Sequence, residues 1–75
     1  MTSTITKCLS VDGGYYLEGL ISNRNEDGWA IWTATLDLDL NIVEFAPESL
    51  TSDEIASIKL VIIKYRTKIV SGGFV

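Results

Sequence analysis

"WAIWTATL", residues 29–36, decides the fold. Ala30, Trp32, Ala34 and Leu36 alternate with Trp29, Ile31, Thr33 and Thr35, and strict period two places successive side chains on opposite faces of a strand. Aromatic and β-branched residues fill the run, which suits a pleated, half-buried surface. The set containing Trp32 and Leu36 is expected to face a core. Trp29 and Ile31 are expected to look outward.

Working outward, three more runs read as strands. "TITKCLSV" leads into Asp12-Gly13-Gly14, a tight-hairpin signal, and then into "YYLEGLIS". A longer polar turn, "NRNEDG" at residues 23–28, precedes the Trp29 run. "NIVEF" closes the series before Pro47. By alternation Tyr15, Leu17 and Ile21 look inward in the second strand, and Ile5, Leu9 and Val11 in the first, with Cys8 on the opposite face. Val43 and Phe45 serve the fourth. Consecutive strands with short connections usually pair with their neighbours, so an antiparallel four-stranded meander is expected.

The last third is a helix. Thr51 and Glu54 form a capping box, with Leu50 and Ile55 placed as its hydrophobic staple. Asp53 and Glu54 suit the positive end of the helix dipole, and Lys64, Arg66 and Lys68 the negative end. Gly72 and Gly73 supply a left-handed stop. One helix is predicted over residues 52–70, and the chain is expected to be a single α+β domain, ββββα, over residues 1–75.

The join between strands three and four, "DLDLNIVEFAPE" at residues 37–48, imitates a calcium loop. Asp37, Asp39, Asn41 and Glu48 occupy positions 1, 3, 5 and 12 of an EF-hand, whose sixth position is a glycine. Here that position is β-branched Ile42, the eleventh is Pro47, and the entering segment is a strand. A polar corner, where Asp and Asn bond nearby backbone amides, explains the same letters. A weak calcium-binding corner is kept only as an alternative, and no metal or cofactor is expected.

Composition narrows the function classes. With no histidine, triads built on imidazole and nearly all zinc sites are excluded. The lone Cys8 rules out an internal disulfide and fits a reducing compartment. It is read as a small apolar filler in preference to a thiol activated by neighbouring Lys7. No uninterrupted apolar run exceeds the four residues 60–63, and the N-terminus lacks the pattern of a signal peptide, so a cytoplasmic protein without a membrane segment is expected. A small meander offers little depth for a cleft that would split the pKa values of Asp37 and Asp39, so no enzyme is expected.

Two features stand out. The first is a second apolar row on the helix. Ile55, Ile58, Val61, Ile62, Tyr65 and Ile69 make the stripe that covers a sheet, yet Ala56, Leu60, Ile63 and Val70 form another, well over a quarter turn away. A twisted sheet or the C-terminal Phe74 and Val75 folding over Leu60 and Ile63 is the plain account; an interface, with a second copy or a different protein, is the sharper one. Tyr16, Trp29 and Ile31 on the outer sheet face make a second candidate patch.

The second feature is charge. Residues 1–54 hold all ten acids against Lys7 and Arg24, a balance of −8, while residues 55–75 hold four cations and no acid, a balance of +4. Glu18, Glu26, Asp27, Asp37, Asp39 and Glu44 form an acidic surface suited to a basic partner. The expected function is a non-catalytic, self-associating protein-binding module, a homodimer. It would act as a small accessory or inhibitor protein of the kind phages also make, on a larger partner such as a nucleic-acid-binding protein. Direct nucleic-acid binding through Lys59, Lys64, Arg66 and Lys68 is the alternative; their helical angles disagree, which disfavours it.

Overall fold

The computed structural model describes residues 2–22 and 28–73. Four strands, β1 (Thr2–Val11), β2 (Gly14–Ser22), β3 (Trp29–Asp37) and β4 (Ile42–Ala46), form one antiparallel sheet in the order β1-β2-β3-β4. Helices α1 (Ser52–Lys64) and α2 (Arg66–Ser71) follow and cover one face. The ββββα arrangement is the expected one. The polar turn expected at 23–28 falls almost wholly outside the described residues.

The core lies between sheet and helix. Leu17, Ile21, Trp32, Ala34 and Leu36 rise from the sheet to meet Ile58, Val61, Ile62 and Ile69, all buried. Tyr15 and Tyr65 pack at its margin. Ala30 is on the same face by register, opposite Ile21, but stays exposed at the end of β3.

One contact sets the geometry of this core. Gly19 pairs with Trp32 across β2 and β3 and with Ile5 across β1 and β2. A Cβ at Gly19 would collide with the Trp32 ring atoms Cζ2 and Cε2 on one side and with the Thr4 carbonyl oxygen on another. The indole of a fully buried tryptophan and the main chain of β1 therefore both close on a backbone that carries no side chain. The Trp32 indole N–H has no acceptor among the described residues, at a desolvation cost of about 1–3 kcal/mol. The apolar contact of the ring outweighs it.

Immediately beyond Ile5 the register slips. Ile5 pairs with Gly19 and Lys7 with Glu18, so Thr6 is an extra, unpaired residue whose hydroxyl donates to the Glu18 carbonyl at 3.2 Å. A bulge of one residue moves every later side chain to the other face. This corrects the sequence expectation for the first strand: Cys8 is buried in the core, while Leu9 and Val11 are exposed on the outer face. The Cys8 thiol lies 3.9 Å from the Ile69 carbonyl oxygen, and burial pushes its pKa up from 9.0, the opposite of an activated thiol.

A second slip acts on β4. Thr35 pairs with Glu44 but Leu36 pairs with Ile42, leaving Val43 unpaired and pointing to solvent. Ile42, and not Val43, packs on the core. Phe45 does share the core face, opposite Ala34, yet is 37% exposed. The helix leans towards β1, where the Ser3 and Ser57 hydroxyls meet at 2.6 Å, and leaves the β4 side of the face less covered.

The helix begins as its capping box dictates: the Glu54 amide donates to Thr51 Oγ1 at 3.2 Å and the Thr51 amide to Glu54 Oε1 at 2.9 Å. It does not run unbroken to residue 70. At Tyr65 (φ −108°, ψ 19°) it kinks, although the Tyr65 amide still bonds the Val61 carbonyl and the Ile69 amide the Tyr65 carbonyl. Val61, Ile62 and Ile63 precede the kink, and three β-branched residues in succession lose side-chain freedom in a helix. The Arg66 guanidinium donates to the Ile63 carbonyl at 3.3 Å, satisfying an acceptor at the break. Gly72, at φ 75°, ends α2 with the paired bonds of a Schellman motif, Gly73 N–H to Lys68 and Gly72 N–H to Ile69.

Gly19→Ala tests the Trp32 contact. Overpacking of this kind costs about 1–3 kcal/mol, and a domain this small holds only about 3–5 kcal/mol in its core. Urea denaturation followed by tryptophan fluorescence should show the midpoint falling by about a fifth or more, or no folded baseline at all.

Candidate functional site

The corner between β3 and β4 is a three-residue hairpin loop, Leu38 to Leu40. The Leu40 amide bonds the Asp37 carbonyl and the Asp37 amide bonds the Asn41 carbonyl, both at 3.0 Å. In this loop type the last residue sits in the left-handed region, a place that favours glycine. Here it is Leu40, at φ 68°, the one non-glycine residue with positive φ among those described. A bulky side chain there costs about 1–2 kcal/mol.

Asp37 offsets that cost. Its Oδ1 accepts the amides of Asp39 and Asn41, each at 2.9 Å, and its Oδ2 accepts Asn41 Nδ2 at 3.3 Å. The Asn41 backbone N–H above all, with the Asn41 side chain and the Asp39 amide, holds the Asp37 carboxyl below its ordinary value of 3.8 against a smaller effect of desolvation. The pseudo-calcium spacing is thus a hairpin device, with Asp37 turned on its own backbone. Among the described residues no three metal-ligating side chains gather at one place.

Between this corner and the helix runs a groove of about 440 Å³, lined by Leu40, Asn41, Ile42 and Asp39 on one side and Lys59, Ile62, Ile63 and Arg66 on the other. A shallower cup of about 400 Å³ continues it past Leu40 and Arg66 to Val70. No sequence pattern announced this feature. A leucine gives no hint of left-handed backbone, and the groove exists only because α1 leans away from β4.

The expected second row of the helix is where its spacing placed it. Leu60, Ile63 and Val70 are 68%, 56% and 59% exposed, and Ala56 is exposed beside them. The sheet lies against the other side of the helix. Phe74 and Val75, the chain's own candidate cover, lie outside the described residues. Lys59 and Arg66 border this row on the groove side. Lys64 and Lys68 lie on the other flank, their ammonium groups 5.4 and 6.0 Å from the Tyr65 ring centre, so the four cations split into two pairs.

The sheet's outer face is divided. Cross-strand register groups Thr4, Leu20 and Ile31 in one row and Thr2, Ser22 and Trp29 in the next, so Trp29 and Ile31 form one exposed apolar end. Tyr16 stands four residues from Leu20 along β2, roughly 13 Å away, in the row of Leu9, Thr35 and Glu44. Lys7, Glu18, Thr33 and Ala46 fill the row between. Tyr16 donates its hydroxyl to Glu18 Oε2 at 3.0 Å, a bond that keeps the phenol protonated and raises its pKa. The three patch residues are not one surface.

Nor are the acids one cluster. Glu18 and Glu44 lie on the outer sheet face, Asp37 closes the hairpin and Asp39 is exposed at its tip. Glu26 and Asp27 lie outside the described residues. No helix among the described residues is long and apolar enough to cross a membrane. The chain matches no family model, no curated protein and no solved structure.

The corner makes stability depend on pH. Asp37 titrates lower folded than unfolded, so its contribution is complete above about pH 4 and is lost as pH falls through the depressed folded value. Urea unfolding of wild type and Asp37→Ala from pH 7 to pH 2.5 should show a constant gap above about pH 5 that closes in acid.

Proposed function

We propose that this chain is a non-catalytic protein-binding module that associates with a second copy through Ala56, Leu60, Ile63 and Val70. The exposure of Leu60, Ile63 and Val70 along one face of the helix carries the reading. A surface helix needs one apolar stripe, and Ile58, Val61, Ile62 and Ile69 already provide it.

Charge supports a second copy as occupant. Asp53 and Lys64 flank the row on the same side, about three turns apart. Two helices packed antiparallel about a two-fold axis bring the acidic start of each against the basic end of the other, with opposed dipoles. Fully burying a Leu, Ile or Val contributes about 1.5–3 kcal/mol. Six such side chains, half buried on pairing, give roughly 5–9 kcal/mol, comparable with the cost of association. The surplus is small, so a weak dimer, forming at about hundreds of micromolar, is expected.

The module's role is that of a small accessory or inhibitor protein on a larger partner. Glu18, Asp39 and Glu44, with the excess of acid over the first 54 residues, suit a basic partner surface, as on a nucleic-acid-binding protein.

Light scattering over a concentration series decides the self-association. The mass should rise from 8.3 kDa towards twice that value, while Leu60→Asp/Ile63→Asp stays monomeric with an unchanged circular dichroism spectrum. A wild type that remains at 8.3 kDa at several hundred micromolar overturns it.

A further inference from the structure

The groove beside the β3–β4 corner borders the dimer row, sharing Ile63 with it, and has a charged rim that the row lacks. Its floor is apolar, from Leu40, Ile42, Ile62 and Ile63, and its helix rim carries Lys59 and Arg66. No carboxylate among the described residues pairs with Lys59. Arg66 spends one donor on the Ile63 carbonyl, and a guanidinium has five. Leu40, held in the left-handed region, forms the wall shared by the groove and the adjoining cup that ends at Val70. A strained leucine shaping two adjacent cups is the kind of outlier that points to a site.

Both cups are open to solvent along one side. Small-molecule sites enclose most of their ligand's surface, which these cannot do; a segment of chain that lies across both needs no such enclosure. Lys59 and Arg66 are two helical turns apart, about 10.5 Å, close to the roughly 9.3 Å that three residues span in an extended segment of polyproline II form, where side chains three apart share a face. Asp39, which lines the groove from the side of the corner, repels carboxylates there and favours the helix rim for them.

We propose that this groove binds a short extended peptide segment of a partner protein that carries two carboxylates about three residues apart with apolar side chains between them. The carboxylates meet Lys59 and Arg66, and the apolar side chains enter the cups on either side of Leu40. The proposal rests on the protein-binding reading and gives it a partner chemistry. It shares Ile63 and Val70 with the row around Leu60, so a bound segment and a second copy compete; Leu60→Asp, which breaks the pairing and leaves the groove whole, lets each fail alone.

The test is an amide-resolved NMR titration of the full chain with a capped hexapeptide having Glu-Leu-Leu-Glu at its centre. Saturable shifts are expected at Leu40, Asn41, Ile42, Ile63 and Arg66. Binding should weaken about fivefold to tenfold, as two part-exposed charge pairs imply, for the Gln-Leu-Leu-Gln peptide and for Lys59→Glu/Arg66→Glu. Leu40→Gly, which relieves the backbone and removes the wall, should stay folded, because the relieved strain offsets much of the lost packing of Leu40 on the core, and should lose binding. Leu60→Asp, outside the groove, should bind at least as tightly as wild type, because no second copy then covers Ile63 and Val70. Shifts that do not saturate, equal binding of the Gln peptide, or undiminished binding by Leu40→Gly would each overturn the proposal.

Discussion

A buried indole pressed against a glycine backbone holds this structure in register. Trp32 projects from β3 into the core, and Gly19 on β2 leaves room for its ring and for the Thr4 carbonyl of β1 at the same point. Three strands therefore converge where one residue has no Cβ. The Thr6 bulge lies directly beyond, and the slip it introduces turns Cys8 into the core and Leu9 and Val11 out of it. What faces the helix along β1, and what faces solvent behind it, follows from this contact.

The same logic shows what could be read in advance and what could not. Period-two runs, the Asp12-Gly13 turn, the Thr51–Glu54 capping box and the glycine stop are local codes, and each produced its element. Bulges are not local. Whether Thr6 pairs or is skipped is settled against a strand more than ten residues away, so alternation misassigned Cys8, Leu9 and Val11. Val43 failed for the same reason, and Ile42 took its place in the core. The break at Tyr65 carries no proline or glycine to announce it, and the helical spacing runs straight through it.

The surface was legible in part. Helical spacing alone located Leu60, Ile63 and Val70 on a face away from the sheet, and they are exposed there. The patch of Tyr16, Trp29 and Ile31 was not, because cross-strand register separates Tyr16 from Ile31 by two rows and from Trp29 by three. The corner at 37–41 changed most. Its acids resembled a metal loop, but Asp37 stabilises a hairpin whose last residue, Leu40, accepts an unfavourable backbone and walls a groove. The helix leaning towards β1 opens that groove and leaves the row of Leu60 outermost. Core geometry and exposed surfaces are thus one arrangement.

The central claim is that the second row of the helix is uncovered in one copy and covered by another. Methyl relaxation in the presence of a soluble paramagnetic agent, at low micromolar and at millimolar protein, measures this directly. The Leu60, Ile63 and Val70 methyl groups should be accessible in dilute solution and protected in concentrated solution, while those of Ile31 and Val43 stay accessible throughout. Protection of the row at every concentration would mean that the chain covers it with its own residues. Accessibility at every concentration would mean that no second copy does. Either result contradicts the account.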